Sequence, residues 1–272
     1  MTDSTDAPGS APPSSAERQR ISRDHFDTLA ALLNESTFLR VTSLGIGHGW
    51  NCWEAGAGGA SVPNWLARRV GLAGRVLASD IDTAALELAA DPPIEVRRHD
   101  LTVDPPPGAD FDFVHARLVL EHLSDPSAAL MTMVSALRAR GWLLVEAADP
   151  KLQPLACPDE VGPRQALANK LRSAVWELMD QRSDLSLGRT LPRLFRDAGL
   201  ADVDAEVSFS LSGPAARRMQ HTLVTVVRPA LVAAGAATEH EIDQHLADLG
   251  AEDLDIALFP VVAAWGRRKD MT

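Results

Sequence analysis

Between residues 51 and 147 the chain alternates short apolar runs with stretches of helical periodicity, and this alternation limits the fold more than any other feature. The runs at 51–54, 75–79 (RVLAS), 95–98, 111–115 (FDFVH) and 142–147 (WLLVEA) read as strands. Helical patterns fill 61–70, 83–90 and 126–137. Strands separated by helical segments of that length imply βαβ units and a parallel sheet. Right-handed crossovers then place helices on both faces of the sheet.

The flanks read differently. Residues 1–15 are mostly Ser, Pro, Asp and Ala, a composition expected to form a disordered tail. Ile21, Phe26, Leu29, Leu32 and Leu33 recur at helical spacing, so one or two amphipathic helices are expected over 16–33. A further helix is expected over 36–44, stopped by Gly45 and Gly47. The resulting division is a cap at 16–44, a core at 45–150 and a C-terminal part at 151–272. Three prolines make 150–162 a loop. Helices are expected at 164–182, at 190–198 with Gly199 as its cap, at 214–227 with Pro229 ending or kinking it, and at 239–249. Strands are expected at 203–211 and 257–265, and Pro260 calls for an edge position or a bulge in the last one. Segments 16–35, 158–182 and 214–250 fall outside the alternation and read as a helical lid.

Composition narrows the partners. The net charge is −11 and the longest basic run is Arg267-Arg268-Lys269, so nucleic acid is a poor partner. No apolar run approaches a membrane span, and the N-terminal residues lack a secretory pattern, so a cytoplasmic protein is expected. Cys52 lies in an apolar stretch and reads as a buried free thiol. Without CxxC or a Cys/His cluster, no metal site is expected.

The chemistry concentrates at Glu54-Ala55-Gly56-Ala57-Gly58-Gly59-Ala60-Ser61, between a strand and a helix. Three glycines in four positions let the backbone turn tightly and let a ligand approach, and the helix start offers N–H groups to an anion. A dinucleotide fingerprint would want a small apolar residue where Ser61 stands. Glu54, just before the first glycine, suits a ligand with an ammonium group better than a pyrophosphate. Asp80 ends the second strand, where an acid can bond both ribose hydroxyls, and Ile81 can lie on a flat base. Asp100 and Leu101 end the third strand, where an acid and a backbone N–H can pair with an adenine edge.

These stretches resemble class I S-adenosylmethionine-dependent methyltransferases, in particular the bacterial small-molecule group. The matching segments are GWNCWEAGAGGAS, GRVLASDID, RRHDLTVDPPPGADFDFVHARLVLEHLSDP and LRARGWLLVEAAD, covering roughly 45–150, with LRARG at the turn before the fifth strand. Ala60 departs from the pattern, where close relatives often carry another glycine. The resemblance implies a Rossmann-like, doubly wound α/β fold with seven strands, mostly parallel with an antiparallel last strand, plus helical lid elements. It implies S-adenosyl-L-methionine as cofactor, held by Glu54, Gly56, Ala57, Gly58 and Ser61 at the methionine part, by Asp80 at the ribose, and by Ile81, Asp100 and Leu101 at adenine. Backbone at His115 and Ala116 would lie against the methionine amino group.

The implied activity is in-line methyl transfer to a small-molecule acceptor, with specialised metabolism as its setting. The chain has no tyrosine, so a general base must be His, Asp, Glu or water, and His115 is the first candidate. On the acceptor side Arg117, Trp176, Met179, Met219 and His221 are expected, with Leu223 as further lining. His122 reads as structural, His25 as part of a cap, and His48, His99, His240 and His245 as surface or loop residues. The competing readings are a NAD-type Rossmann oxidoreductase and an S-adenosylmethionine-binding protein that does not methylate. The reading also allows a homodimer.

Overall fold

The computed structural model describes residues 15–181, 183–251 and 253–270, with side chains from Asp24 onward. The expected tail at 1–15 lies outside them except for Ser15, which opens the first helix. Strands β1 (Asn51–Ala55), β2 (Arg75–Asp80), β3 (Glu95–Arg98), β4 (Phe111–Arg117) and β5 (Leu137–Ala148) are mutually parallel. β6 (Ala201–Ser208) and β7 (Val261–Arg267) complete one seven-stranded sheet in the order β3-β2-β1-β4-β5-β7-β6. β7 is antiparallel to both neighbours. The expected Rossmann-like fold is therefore present.

Strand alternation explains the two packed faces. Trp53 and Ala55 of β1 join Leu143 and Val145 of β5 in one core, under helices α4 (Pro126–Ala136) and α6 (Leu187–Asp197). Cys52 and Leu144 point the other way, to α2 (Ser61–Val70) and the end of α1 (Ser15–Ser43). Each fully buried Leu or Phe in these layers contributes about 1.5–3 kcal/mol. Cys52 and Cys157 are both buried free thiols.

Several boundaries differ from expectation. α1 is one continuous helix, where separate segments were expected. The Ser36 hydroxyl bonds back to the Leu33 carbonyl inside the helix, which runs on through it. β5 begins at Leu137, directly after α4, and takes LRARG into the strand across a register shift at Phe111 and Phe113. α3 is short (Ala84–Ala89). α5 (Pro163–Met179), α7 (Pro214–Ala233) and α8 (Glu239–Asp248), the helices of the expected lid, pack together and with α1. Pro229 does not end α7, which runs on to Ala233. It sits with Thr225 on an exposed face, so the carbonyl it frees can be hydrated. β7 starts later than expected and lies inside the sheet, not at its edge. Pro260 precedes it and needs only its carbonyl, which accepts from the Asp149 amide at 2.8 Å.

The chain leaves β1 for β2 on one side, and β4 lies on the other. Such a switch point opens a crevice at the carboxyl ends of the strands, where open α/β sheets bind ligands.

Candidate active site

The turn after β1 fills that crevice's floor. Gly56 and Gly58 hold φ of +65° and +59°, the left-handed region glycine favours. A Cβ on Gly56 would meet Val119 at 2.5 Å, and one on Gly58 would meet the Phe26 ring at 2.5 Å. Side chains from α1 and from the end of β4 thus close directly on the turn. α2 starts at Ser61 without a side-chain cap, which leaves the N–H groups of its first turn free of one. Asp80 ends β2 with Oδ2 accepting from the Gly58 amide at 2.8 Å and Oδ1 from the Asp82 amide at 3.1 Å. The carboxylate pins the turn, and each oxygen keeps lone-pair capacity for a ligand hydroxyl.

Beside the turn runs a buried chain of charges. Register pairs Glu54 with His115 and Arg117 with Glu146. His115 is 0% exposed; its Nδ1 lies 2.7 Å from Glu54 Oε2 and its Nε2 3.2 Å from Glu146 Oε2. Burial pulls the imidazole's pKa down, but the two carboxylates outweigh it and push it to about 9. At neutral pH His115 is an imidazolium donating to both acids. Burial works against the Glu146 anion, yet His115, Arg117 and Thr37 hold its carboxyl below the usual range. Thr37 of α1 donates to Glu146 at 2.6 Å, and Arg117 donates to Thr37 at 3.0 Å and to Asn34 at 3.1 Å. The chain therefore ties β1, β4 and β5 to α1.

A family model described as "Methyltransferase domain" matches residues 16–205. The chain belongs to this methyltransferase family. Among solved structures, the chain is similar to phosphoethanolamine N-methyltransferase 2 of Haemonchus contortus, a complex with phosphomonomethylethanolamine and S-adenosylhomocysteine, at 13% identity and a TM-score of 0.55. That match covers 88% of this chain and 53% of the worm chain, so this chain spans about half its length. A putative methyltransferase of Bacillus halodurans gives 15% identity, 86% and 100% coverage and a TM-score of 0.54. The [4+2]-cyclase SpnF gives 16% identity, 87% and 81% coverage and a TM-score of 0.52. At these identities the likeness is one of fold. No curated protein sequence matches.

The remaining residues singled out by sequence take up different places. Ala57, Ile81 and Asp100 lie in or beside the crevice. The Ala57 amide bonds Ser79 at 2.9 Å, and Ile81 is 62% exposed. Asp100 accepts from the Thr102 hydroxyl at 2.6 Å and amide at 2.8 Å, which lowers its pKa. Ser61 Oγ reaches Asn34 Oδ1 at 3.4 Å. Leu101 and Ala116, by contrast, turn their side chains into the core and leave only backbone for a ligand. Trp176 and Met219 gather with Leu118 and Ala148 over the ends of β4 and β5. Met179 packs in the outer lid cluster and His221 is exposed on α7, so the structure does not bring these two to the strand ends.

Among the other histidines, His122 bonds Ser183 at 3.0 Å. His99 lies in the loop after β3, where it is buried, bonds the Pro105 carbonyl at 2.9 Å and meets Trp53 edge-on; His245 is buried on α8, contrary to the surface or loop reading, and bonds Gln220 at 3.2 Å. Sequence reasoning passed over Glu146, Glu121, Thr37, Asn34 and Phe26. Glu146 had a signal, since it is the lone acid in an apolar strand. Glu121 holds the Ala148 amide at 3.1 Å, and burial pushes its carboxyl to about 7.

Proposed function

We propose that this protein, working in the cytoplasm, transfers the methyl group of S-adenosylmethionine to a small-molecule acceptor. The observation that carries the reading is Asp80 hydrogen-bonded to Gly58, 22 residues earlier, across a turn built from left-handed glycines. That joins a carboxylate for ribose hydroxyls to a backbone path open to the amino-acid part. The exposed Ile81 suits an adenine face, and Asp100 with the Leu101 amide suits its edge.

Bound there, the cofactor supplies an electrophilic methyl carbon. Glu54 uses Oε2 on His115, which leaves Oε1 for the ligand's ammonium group. His115 serves as a positioning residue and not as a base, because both ring nitrogens are committed to carboxylates. The lid over β4 and β5 holds the acceptor in line and excludes water; such positioning is worth about 7–11 kcal/mol. An apolar lid cluster of Leu33, Met219, Phe259 and Trp176 favours a small organic acceptor. No helix among the described residues is long and apolar enough to cross a membrane.

Calorimetry with S-adenosylhomocysteine tests the reading, with Asp80→Ala as control. Tight binding that the variant loses supports it. NADH binding in place of S-adenosylhomocysteine would sink it in favour of an oxidoreductase.

A further inference from the structure

The lid buries a cation with no anion beside it. Arg172 of α5 is 2% exposed. Its Nε donates to Gln220 Oε1 at 2.6 Å and its Nη2 to the Ala257 carbonyl at 3.0 Å, while Nη1 is buried without a partner. Among the described residues Arg172 forms no ion pair. Two titratable neighbours are neutral at pH 7: burial pushes the Cys157 thiol up to about 11, and burial with Arg172's own charge holds His245 near 4. Nearby acids are engaged elsewhere or exposed. Asp248 pairs with Arg164, Glu160 accepts from Asn169, and Asp255 faces solvent.

One turn along α5, Trp176 adds a second buried donor. Its Nε1 also lacks a partner. The guanidinium stands 5.4 Å from the indole centroid, and that ring meets Phe259 edge-on at 5.7 Å. Trp176 borders the same apolar cluster as Leu118, next after β4, and Ala148, the last residue of β5, and its partner Phe259 precedes Pro260, whose carbonyl accepts from the Asp149 amide just past β5. The pair therefore lies over the strand ends where an acceptor would sit. A buried charge left uncompensated is costly, and a buried N–H without an acceptor costs about 1–3 kcal/mol.

We propose that Arg172 and Trp176 anchor a carboxylate carried by an apolar acceptor. The inference rests on the methyl-transfer reading and narrows its acceptor. One positive charge and two separate N–H donors match one carboxylate with two oxygens. A phosphate dianion would bury a second charge without a partner, and an ammonium would be repelled. Met219, Leu258 and Phe259 supply an apolar wall for the remainder of the molecule.

The test titrates the full chain, saturated with S-adenosylhomocysteine, with phenylacetate and with phenylacetamide in a calorimeter. The acid should bind at least about tenfold more tightly than the amide, as expected for a charge-assisted pair. Arg172→Gln should bring the two ligands within about twofold while leaving S-adenosylhomocysteine affinity unchanged. Trp176→Phe keeps the ring and removes only the donor; it should weaken the acid about three- to tenfold and spare the amide. Trp176→Phe keeps the question decidable if Arg172→Gln fails to fold. Equal binding of acid and amide, no binding of the acid, an acid preference that Arg172→Gln leaves standing, or one that Trp176→Phe leaves undiminished would overturn the proposal. Repeating the titration without S-adenosylhomocysteine separates this failure from failure of the methyl-transfer reading, since the anion preference belongs to the lid and not to the cofactor.

Discussion

His115 and Arg172 are both buried cations bound to side chains of other elements, yet their surroundings are opposite in sign. His115 sits between Glu54 and Glu146, and every ring proton has an anionic partner. Arg172 has an amide, a backbone carbonyl and neutral neighbours. A compensated charge fixes structure, because removing one partner strands the other. An uncompensated one makes a site, because a ligand can complete it.

The largest expected effect falls on the first network. Glu146→Leu should cost about 3–5 kcal/mol in urea unfolding, since it leaves the imidazolium of His115 short of a partner. A cost under about 1 kcal/mol would mean the network does not hold the sheet to α1. pH probes the same cation without mutation. The pKa of His115 is raised in the folded state, so its contribution is full below the unfolded value of 6.5 and is lost as pH rises through about 9. Stability should fall by up to about 3 kcal/mol between pH 7 and 10, and His115→Gln should flatten that slope.

Asp80 supplies a third kind of charge, one that faces the crevice. Asp80→Ala should weaken S-adenosylhomocysteine by about 10–100-fold in calorimetry with a change in unfolding free energy of about 1 kcal/mol or less. The smallest effect belongs to the lid. Arg172→Met, free of ligand, should leave stability within about 1 kcal/mol of wild type or raise it, because an uncompensated charge leaves the interior. A loss of several kcal/mol in denaturant titration would make Arg172 a structural residue like His115 and erase the contrast.

The parts of this fold that sequence made legible are those with strong local punctuation. Helix α2 and strand β3 keep their expected limits, because Gly71 and the glycine turn bracket the first, and an X-Pro pair precedes the second. Asp80 was readable for the same reason, as an acid closing an apolar run. The charge network was not. Glu54 meets His115 across 61 residues and Thr37 meets Glu146 across 109, and no local pattern encodes such a meeting. His115 as a base was a fair reading of one residue; its two carboxylate partners change the chemistry. Pro260 does not mark an edge, and Pro229 does not end its helix, because each proline's cost depends on whether the missing donor faces water or a partner strand.

α1 has one further consequence, for the order of assembly. Its polar anchors in the sheet lie far downstream in the chain: Arg117 is 80 residues from Thr37, Glu146 is 109 from Thr37, and Glu206 is 166 from Arg40. A ribosome releasing this chain exposes the helix's apolar stripe long before β4, β5 or β6 exists to receive it. α2 can receive the end of α1 early, since Phe38 stacks on Trp65, but the polar ties to β4, β5 and β6 close only once those strands exist, and until then the rest of the stripe is a natural place for a chaperone to grip.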